Sequence, residues 1–213
     1  EWVAYKVLLE QDPKIKADVI VLVADASNLK RNLLFCSQII DLKRPVVIAL
    51  TMMDIANKNN IKVDVAGLER ELGVFIVPVN PRKNKGMAQL KTAINYAAEN
   101  LDKFPDRDFI NMEPMASSAI KKVQNIFPEV SNYRAIHYLI NHENFTLDDS
   151  VQERIENIEI ETKFNPTKTQ AEEILQRYGK IKTIMKQTVV ESDPLQKALF
   201  TQKLDNILLH RFW

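Results

Sequence analysis

The chain has 213 residues, 46% of them hydrophobic and 27% charged, which is ordinary globular material for one large domain or two small ones. Its 29 basic and 28 acidic side chains leave a net charge of +1, too weak a field to argue for nucleic acid on composition. No apolar run reaches the roughly 20 residues of a membrane span, and the single Cys36 excludes an internal disulfide and a cysteine-built metal site, which fits a reducing compartment.

The chain opens at Glu1 with no initiator methionine, signal peptide or charged leader, so it is expected to be a fragment or a processed product. Up to about Leu101 strand and helix signals alternate. Val19 to Asp25 is a strand, and Asn28 is placed to cap a helix with Leu29, Leu33, Cys36 and Ile40 on one stripe. Cys36 then reads as a small core residue. Pro45 opens the strand Val46 to Leu50, and a short helix follows Asp54. A helix is expected over Val65 to Leu72 and a third strand over Val74 to Val79, after Gly73. Met87, Leu90, Ile94, Ala97 and Leu101 mark the face of a closing helix. Strands this continuously apolar, alternating with helices, predict an α/β fold with a doubly wound parallel sheet and ligands at the carboxyl ends of its strands.

From Phe104 the pattern changes. PDRDFINMEP reads as a polar, proline-flanked linker, and strand signals nearly vanish after it. Tyr133, Ile136 and Ile140 mark one helix, and Leu147, Val151, Ile155 and Ile158 another. Ala171, Ile174, Tyr178, Ile181, Met185 and Thr188 mark a long one, with Thr167 as its expected cap and Pro194 after its end. The division expected is a sheet-containing domain over 1–104 and an all-helical subdomain over 105–213.

Asp54 closes the segment TMMD, residues 51–54, at the end of the second strand. A carboxylate there matches the two donors of guanine, N1–H and the exocyclic amine, which adenine does not offer. Guanine-nucleotide-binding proteins read the base at this position with Asn/Thr-Lys-x-Asp. Alone the signal is weak, since an aspartate also caps helices, here IANKNN. The third strand ends in VPVNPRKNKG, where the same fold places a loop against guanine O6, and the two segments together are more specific.

ADVIVLVADASNLKRNLLFCSQIIDLKRPVVIALTMMDIA, followed by IKVDVAGLERELGV and VPVNPRKNKGMAQLKTAI, resembles the nucleotide domain of the ferrous iron transport protein B family. The D-A-x-N-L step from Asp25 to Leu29, the R-N-L from Arg31 to Leu33, and Met52 where most GTPases have lysine carry the likeness. It is dense over residues 17 to 94 and looser in the helical region. The tail Lys203 to Trp213 resembles the segment before that family's first membrane helix. The resemblance implies the later part of a P-loop GTPase domain and a helical subdomain that couples nucleotide state to a permease region of the same protein, at the cytoplasmic face of the bacterial inner membrane. It implies GTP or GDP as ligand, with magnesium in the full-length protein.

Carried over residue by residue, Asp54 reads the base edge, Thr51 replaces the motif's asparagine, and the stem of Met52, beside Met53, packs on the purine. Asn80, Pro81 and Arg82 form the loop over O6. Thr51 has only one hydroxyl, and Pro81 has no N–H where the family donates one. The loss of such a bond weakens recognition by about 1 kcal/mol, so weak guanine selectivity is expected. No G-x-x-x-x-G-K-[ST] occurs, and none of Gly67, Gly73, Gly86 and Gly179 precedes Lys-Ser or Lys-Thr, so no residue is assigned to phosphoryl transfer. Asp64 to Gly67, DVAG, follows the base motif and reads as a helix-entry turn instead of a magnesium switch.

His137 and His142, five apart beside Glu143, read as solvated or capping histidines, with no metal assigned. The methionines read as core or loop filler. KIKTIMK and the lysines near Lys121 read as solvated helix faces. Lys203, His210 and Arg211, with Phe212 and Trp213, would meet anionic headgroups if the resemblance holds. A remnant of a ribosome-associated GTPase acting on RNA, and a nucleotide-free interaction module, are the competing readings. A sheet with the strand Val19 to Ala24 at its edge is expected to self-associate.

Overall fold

The computed structural model describes Leu8, residues 17–100 and residues 108–191; the expectations for Leu101, Pro194 and residues 203–213 lie outside these. In chain order the first half contains β1 (Ile20–Asp25), α1 (Leu29–Ile40), β2 (Val46–Thr51), α2 (Met53–Lys58), β3 (Ile61–Val63), α3 (Val65–Leu72), β4 (Phe75–Pro78) and α4 (Met87–Glu99). The second half contains α5 (Glu113–Ile126), α6 (Asn132–Asn141), α7 (Asp149–Thr162), α8 (Pro166–Thr188) and β5 (Val189–Glu191).

The parallel sheet expected from the alternation is present, with strand order β1-β2-β4. Ile20 pairs with Val46 and Asp25 with Thr51, while Val47 pairs with Phe75 and Leu50 with Pro78. The central β2 is apolar from Val46 to Leu50, where both its faces are buried. Val46, Ile48 and Leu50 join the main core, and Val47 and Ala49 meet Leu90 and Ala97 of α4 on the other face. At the sheet's edge β1 buries Ile20, Leu22 and Ala24 but leaves Val21 38% and Val23 70% exposed.

Leu29, Leu33, Cys36 and Ile40 are all buried, as their stripe predicts. The cap is different. Asn28 makes no side-chain cap bond, and Asp25 organises the entry instead: its Oδ1 accepts from the Ser27 amide at 2.8 Å and the Ser27 hydroxyl at 2.7 Å. A carboxylate ending a strand lies beside the first free amides of the following turn, so it reaches them before Asn28 does.

The helix-entry reading of DVAG matches the geometry, since Asp64 Oδ1 accepts from the Gly67 amide at 3.0 Å. A Cβ at Gly67 would stand 2.4 Å from Asp64 Oδ2 and 3.1 Å from Thr188 Cγ2, so the cap and the end of α8 both need the glycine. Beside it lies an antiparallel pair that the sequence did not announce. Ile61 pairs with Glu191 and Val63 with Val189, and the Asp64 amide donates to the Thr188 carbonyl at 2.7 Å. Strands of three residues carry too little periodicity to be read, and this pairing joins positions more than a hundred residues apart.

The expected linker is not wholly polar in its surroundings: Phe109, Ile110 and Met112 are buried in the main core. The helix α5 after it had no bounded expectation beyond the lysine-bearing face. Asn165, not Thr167, caps α8, its Oδ1 accepting from the Lys168 amide at 2.9 Å, and Pro166 takes the first helical position. The expected stripe on α8 holds at Ile181 and Thr188, but in the first half Thr169, Glu173 and Arg177 face inward while Ala171 and Tyr178 are exposed. One apolar core runs from Ile20 through α5, α6 and α7 to Val189, with α8 laid across α1 and α3.

Candidate functional site

The parallel register sets the carboxyl ends of the three strands side by side. Leu50 pairs with Pro78, and the Val79 amide donates to the Leu50 carbonyl at 2.8 Å, so the segments after β2 and β4 leave the sheet as neighbours. The first holds Thr51, Met52, Met53 and Asp54, the second Asn80, Pro81 and Arg82. The turn from Ala26 to Asn28 packs against α2 and closes the third side.

Thr51 does not point its hydroxyl outward. Its Oγ1 donates to the Ala24 carbonyl at 3.0 Å, tying the ends of β1 and β2 together. Met52 adopts left-handed backbone angles, φ 57 and ψ 24, and leaves its side chain 47% exposed at the mouth of the site. A side chain in that region is uncommon and costs on the order of 1–3 kcal/mol. Met53 is partly buried against the main core. Asp54 does not cap α2; it stands exposed in the helix's first turn, and its Oδ1 accepts only locally, from the Ile55 amide at 3.1 Å. The carboxylate is thus presented to solvent with the positive end of the helix behind it.

The second loop is shaped by its own backbone. The Asn80 amide donates to the Lys85 carbonyl at 2.9 Å, Lys85 donates back at 3.1 Å, and Asn80 Oδ1 accepts from the Lys83 amide at 3.2 Å. Pro81 begins the short turn that these bonds enclose. Gly86 then returns the chain with φ +76 so close to β4 that a Cβ would lie 2.1 Å from the Pro78 carbonyl oxygen. A carboxylate, a methionine side chain and an asparagine-arginine loop thus follow neighbouring strand ends. The sequence contains no glycine-rich phosphate loop.

A second group of residues escaped the sequence reading. At the end of α1, fully buried Asp41 forms an ion pair through Oδ2 with Arg177 Nη2 of α8 at 2.7 Å, and Arg177 Nε donates to Glu173 Oε1 at 2.7 Å. Arg177 Nη1 also donates to the Ser37 carbonyl at 3.0 Å, and its guanidinium lies 4.8 Å from the centre of the Tyr133 ring. The Phe109 amide donates to Asp41 Oδ1 at 2.5 Å, and the Ser131 hydroxyl to the Asp41 carbonyl at 3.1 Å. Burial works against the Arg177 charge, but Asp41, Tyr133 and Glu173 more than offset it and raise its pKa; burial raises that of Asp41 against the pull of Arg177. Asp41 therefore clamps the sheet region to three later segments of the chain, at Phe109, Ser131 and Arg177. The i, i+4 spacing of Glu173 and Arg177 was the available signal, but it ordinarily marks a solvated helix face.

The histidines are buried, not solvated. His137 Nδ1 accepts from Asn141 Nδ2 at 3.2 Å, while Nε2 faces Glu173 at 3.9 Å. Burial, and then the charge of Arg177, push its pKa down to about 3. His142 ends α6 and is buried near Glu159 and Glu156. Among the described residues no group of three or more His, Cys, Asp or Glu side chains has the geometry to hold a metal ion. Cys36 is a core residue whose thiol burial pushes up to about 12.

Residues 1–94 match the family model described as ferrous iron transport protein B. The chain is similar to proteins of that name over nearly its whole length. It is 29% identical over 217 residues to the Fe(2+) transporter FeoB of Legionella pneumophila, covering 96% of this chain and 28% of that protein. The chain therefore spans under a third of the length of that transporter. The solved cytosolic domain of L. pneumophila FeoB superposes with a TM-score of 0.68 at 24% identity, over 89% of this chain and 73% of that one, a likeness of fold. A GDP-bound mutant of the S. thermophilus FeoB G-domain superposes with a TM-score of 0.64 at 26% identity, over 89% of this chain and 74% of that one.

Proposed function

We propose that the chain supplies the guanine-recognition half of the nucleotide domain of a GTP-driven ferrous iron transporter, together with a helical subdomain that couples nucleotide state to the permease region at the cytoplasmic face of the bacterial inner membrane. The observation that carries this reading is the β2–β4 register, by which the segments holding Asp54 and Asn80–Arg82 leave neighbouring strand ends in a chain similar to FeoB, one of whose G-domain structures holds GDP. Among the described residues no helix is long and apolar enough to cross a membrane.

On this reading Asp54 accepts from N1–H and the exocyclic amine of guanine, the Met52 stem covers a purine face, and Arg82 supplies the first backbone N–H after Pro81 for O6. The Thr51 hydroxyl, committed to Ala24, adds nothing to base choice. Nucleotide is held weakly here and with little guanine selectivity, and the phosphates and magnesium take their ligands from elsewhere in the transporter. The outer edge of β1, with Val21 and Val23 exposed beside it, pairs two copies of this chain.

The test is a competitive titration with fluorescent GDP. GDP and ADP are expected to compete within about an order of magnitude of each other, and Asp54→Ala to weaken GDP by about tenfold. Tight GDP binding with none for ADP overturns the weak selectivity. Binding indifferent to Asp54→Ala overturns the assignment of the site.

A further inference from the structure

A cavity of about 530 Å³ opens at the seam between the sheet region and the helical region, away from the carboxyl ends of the strands. Its wall carries Lys43 and Arg44 from the turn between α1 and β2, Arg134 from α6, and Asp108, Gln124 and Glu129. Three cations thus face two carboxylates around one polar space. The turn is fixed in shape: Lys43 has φ 59, and its Nζ pairs with Asp108 at 2.9 Å. The far wall is braced as well. Gln124 Nε2 donates to the Val130 carbonyl and to Asn132 Oδ1, both at 3.1 Å. Arg134 Nη2 donates to the Tyr138 hydroxyl at 3.3 Å, and Tyr138 is itself stacked on Phe127 at 4.5 Å.

We propose that this cavity binds a phosphate-class oxyanion, gripped between the guanidinium groups of Arg44 and Arg134. Planar forks of N–H donors match a tetrahedral oxyanion two oxygens at a time, and two arginines lining one cavity hold it without a dedicated loop. Burial and the charge of Arg134 lower the pKa of Arg44, so the two cations destabilise each other and an anion between them removes that cost. One arginine belongs to the sheet region and the other to the helical region, each three positions from its member of the Asp41 and Ser131 pair that already joins them. A bound oxyanion therefore ties the two regions together, and its stabilisation grows with the logarithm of its concentration above Kd.

Inorganic phosphate and pyrophosphate, titrated into the 213-residue chain by calorimetry and by thermal unfolding, are the probes for a soluble source. Vesicles of phosphatidylglycerol in phosphatidylcholine, against phosphatidylcholine alone, are the probes for a lipid headgroup. Saturable binding is expected with a rise in Tm, weakened about tenfold or more in Arg44→Gln and in Arg134→Gln. Lys122→Gln, an exposed cation paired with Glu161 away from the cavity, is expected to leave it unchanged. If a glutamine variant does not fold, Arg44→Lys and Arg134→Lys keep the charge, lose the fork and are expected to weaken binding about threefold. Binding of the free anions alone, or of phosphatidylglycerol vesicles as well, supports the site and names its source. Absence of saturable binding to either probe, or binding indifferent to both arginines, overturns it.

Discussion

Met52 enters α2 with its backbone in the left-handed region and its side chain in solvent, an arrangement that folding alone does not favour. Met52→Gly is expected to raise unfolding free energy in urea by up to about 1 kcal/mol while weakening fluorescent GDP binding, the pattern of strain held for a ligand. His137 gives a residue-scale prediction of another kind. Burial and Arg177 hold its folded pKa at about 3, below the usual 6.5, so the unfolded chain binds the proton first as pH falls. Its stabilising contribution is complete above pH 6.5 and is lost progressively toward pH 3, by about 2 kcal/mol at pH 5. Asp41, whose pKa burial raises, gives the opposite slope, and Glu173 and Arg177 face the ring. Comparing wild type with His137→Gln by urea unfolding at pH 7.5 and pH 5 isolates the histidine. The variant is expected to show the flatter dependence.

At the scale of elements, two joints decide whether the site and its support hold their shape. The first is the return of the chain at Gly86, where the left-handed turn and the contact with the Pro78 carbonyl leave no room for a side chain. Gly86→Ala is expected to cost about 2 kcal/mol or more and to displace the Asn80–Arg82 loop, read as weakened nucleotide binding and altered amide shifts over residues 79–86. The second is the crossing of α8 over α1. Arg177→Met removes the cation between Asp41 and Glu173 and leaves two buried carboxyl groups uncompensated, an expected loss of about 3–5 kcal/mol in urea unfolding. Replacing Asp41, Glu173 and Arg177 together by apolar residues is expected to recover much of that loss, because the unpaired charge, not the missing bond, is the larger cost.

For the whole molecule, the proposed pairing of two copies at β1, where Val21 and Val23 are exposed, is tested by association. Sedimentation is expected to show concentration-dependent self-association, suppressed by Val23→Lys, whose side chain stands 70% exposed and whose substitution changes stability by less than about 0.5 kcal/mol. A monomer at all concentrations counts against pairing at this edge. The sheet, α1, α3 and the closing helix were legible because each has several turns or a full strand of periodic apolar residues with local stop signals at Pro45 and Gly73. The placement of the segments that carry Asp54 and Asn80–Arg82 was legible because each follows a strand end. The β3–β5 pair and α5 were not, and α8 was read with its first half rotated. The interior burial of Phe109 was hidden by its polar neighbours.

What the sequence determined by itself is the parallel sheet and its likeness to ferrous iron transport protein B, because these rest on local period and on short motifs. What only the tertiary structure decided is everything that joins distant segments. Asp41 and Arg177 are 136 positions apart in numbering and become a buried pair only when α8 lies across α1. Thr51 turns to Ala24 for the same reason: its partner is fixed by the register of two strands, which no run of neighbouring residues encodes.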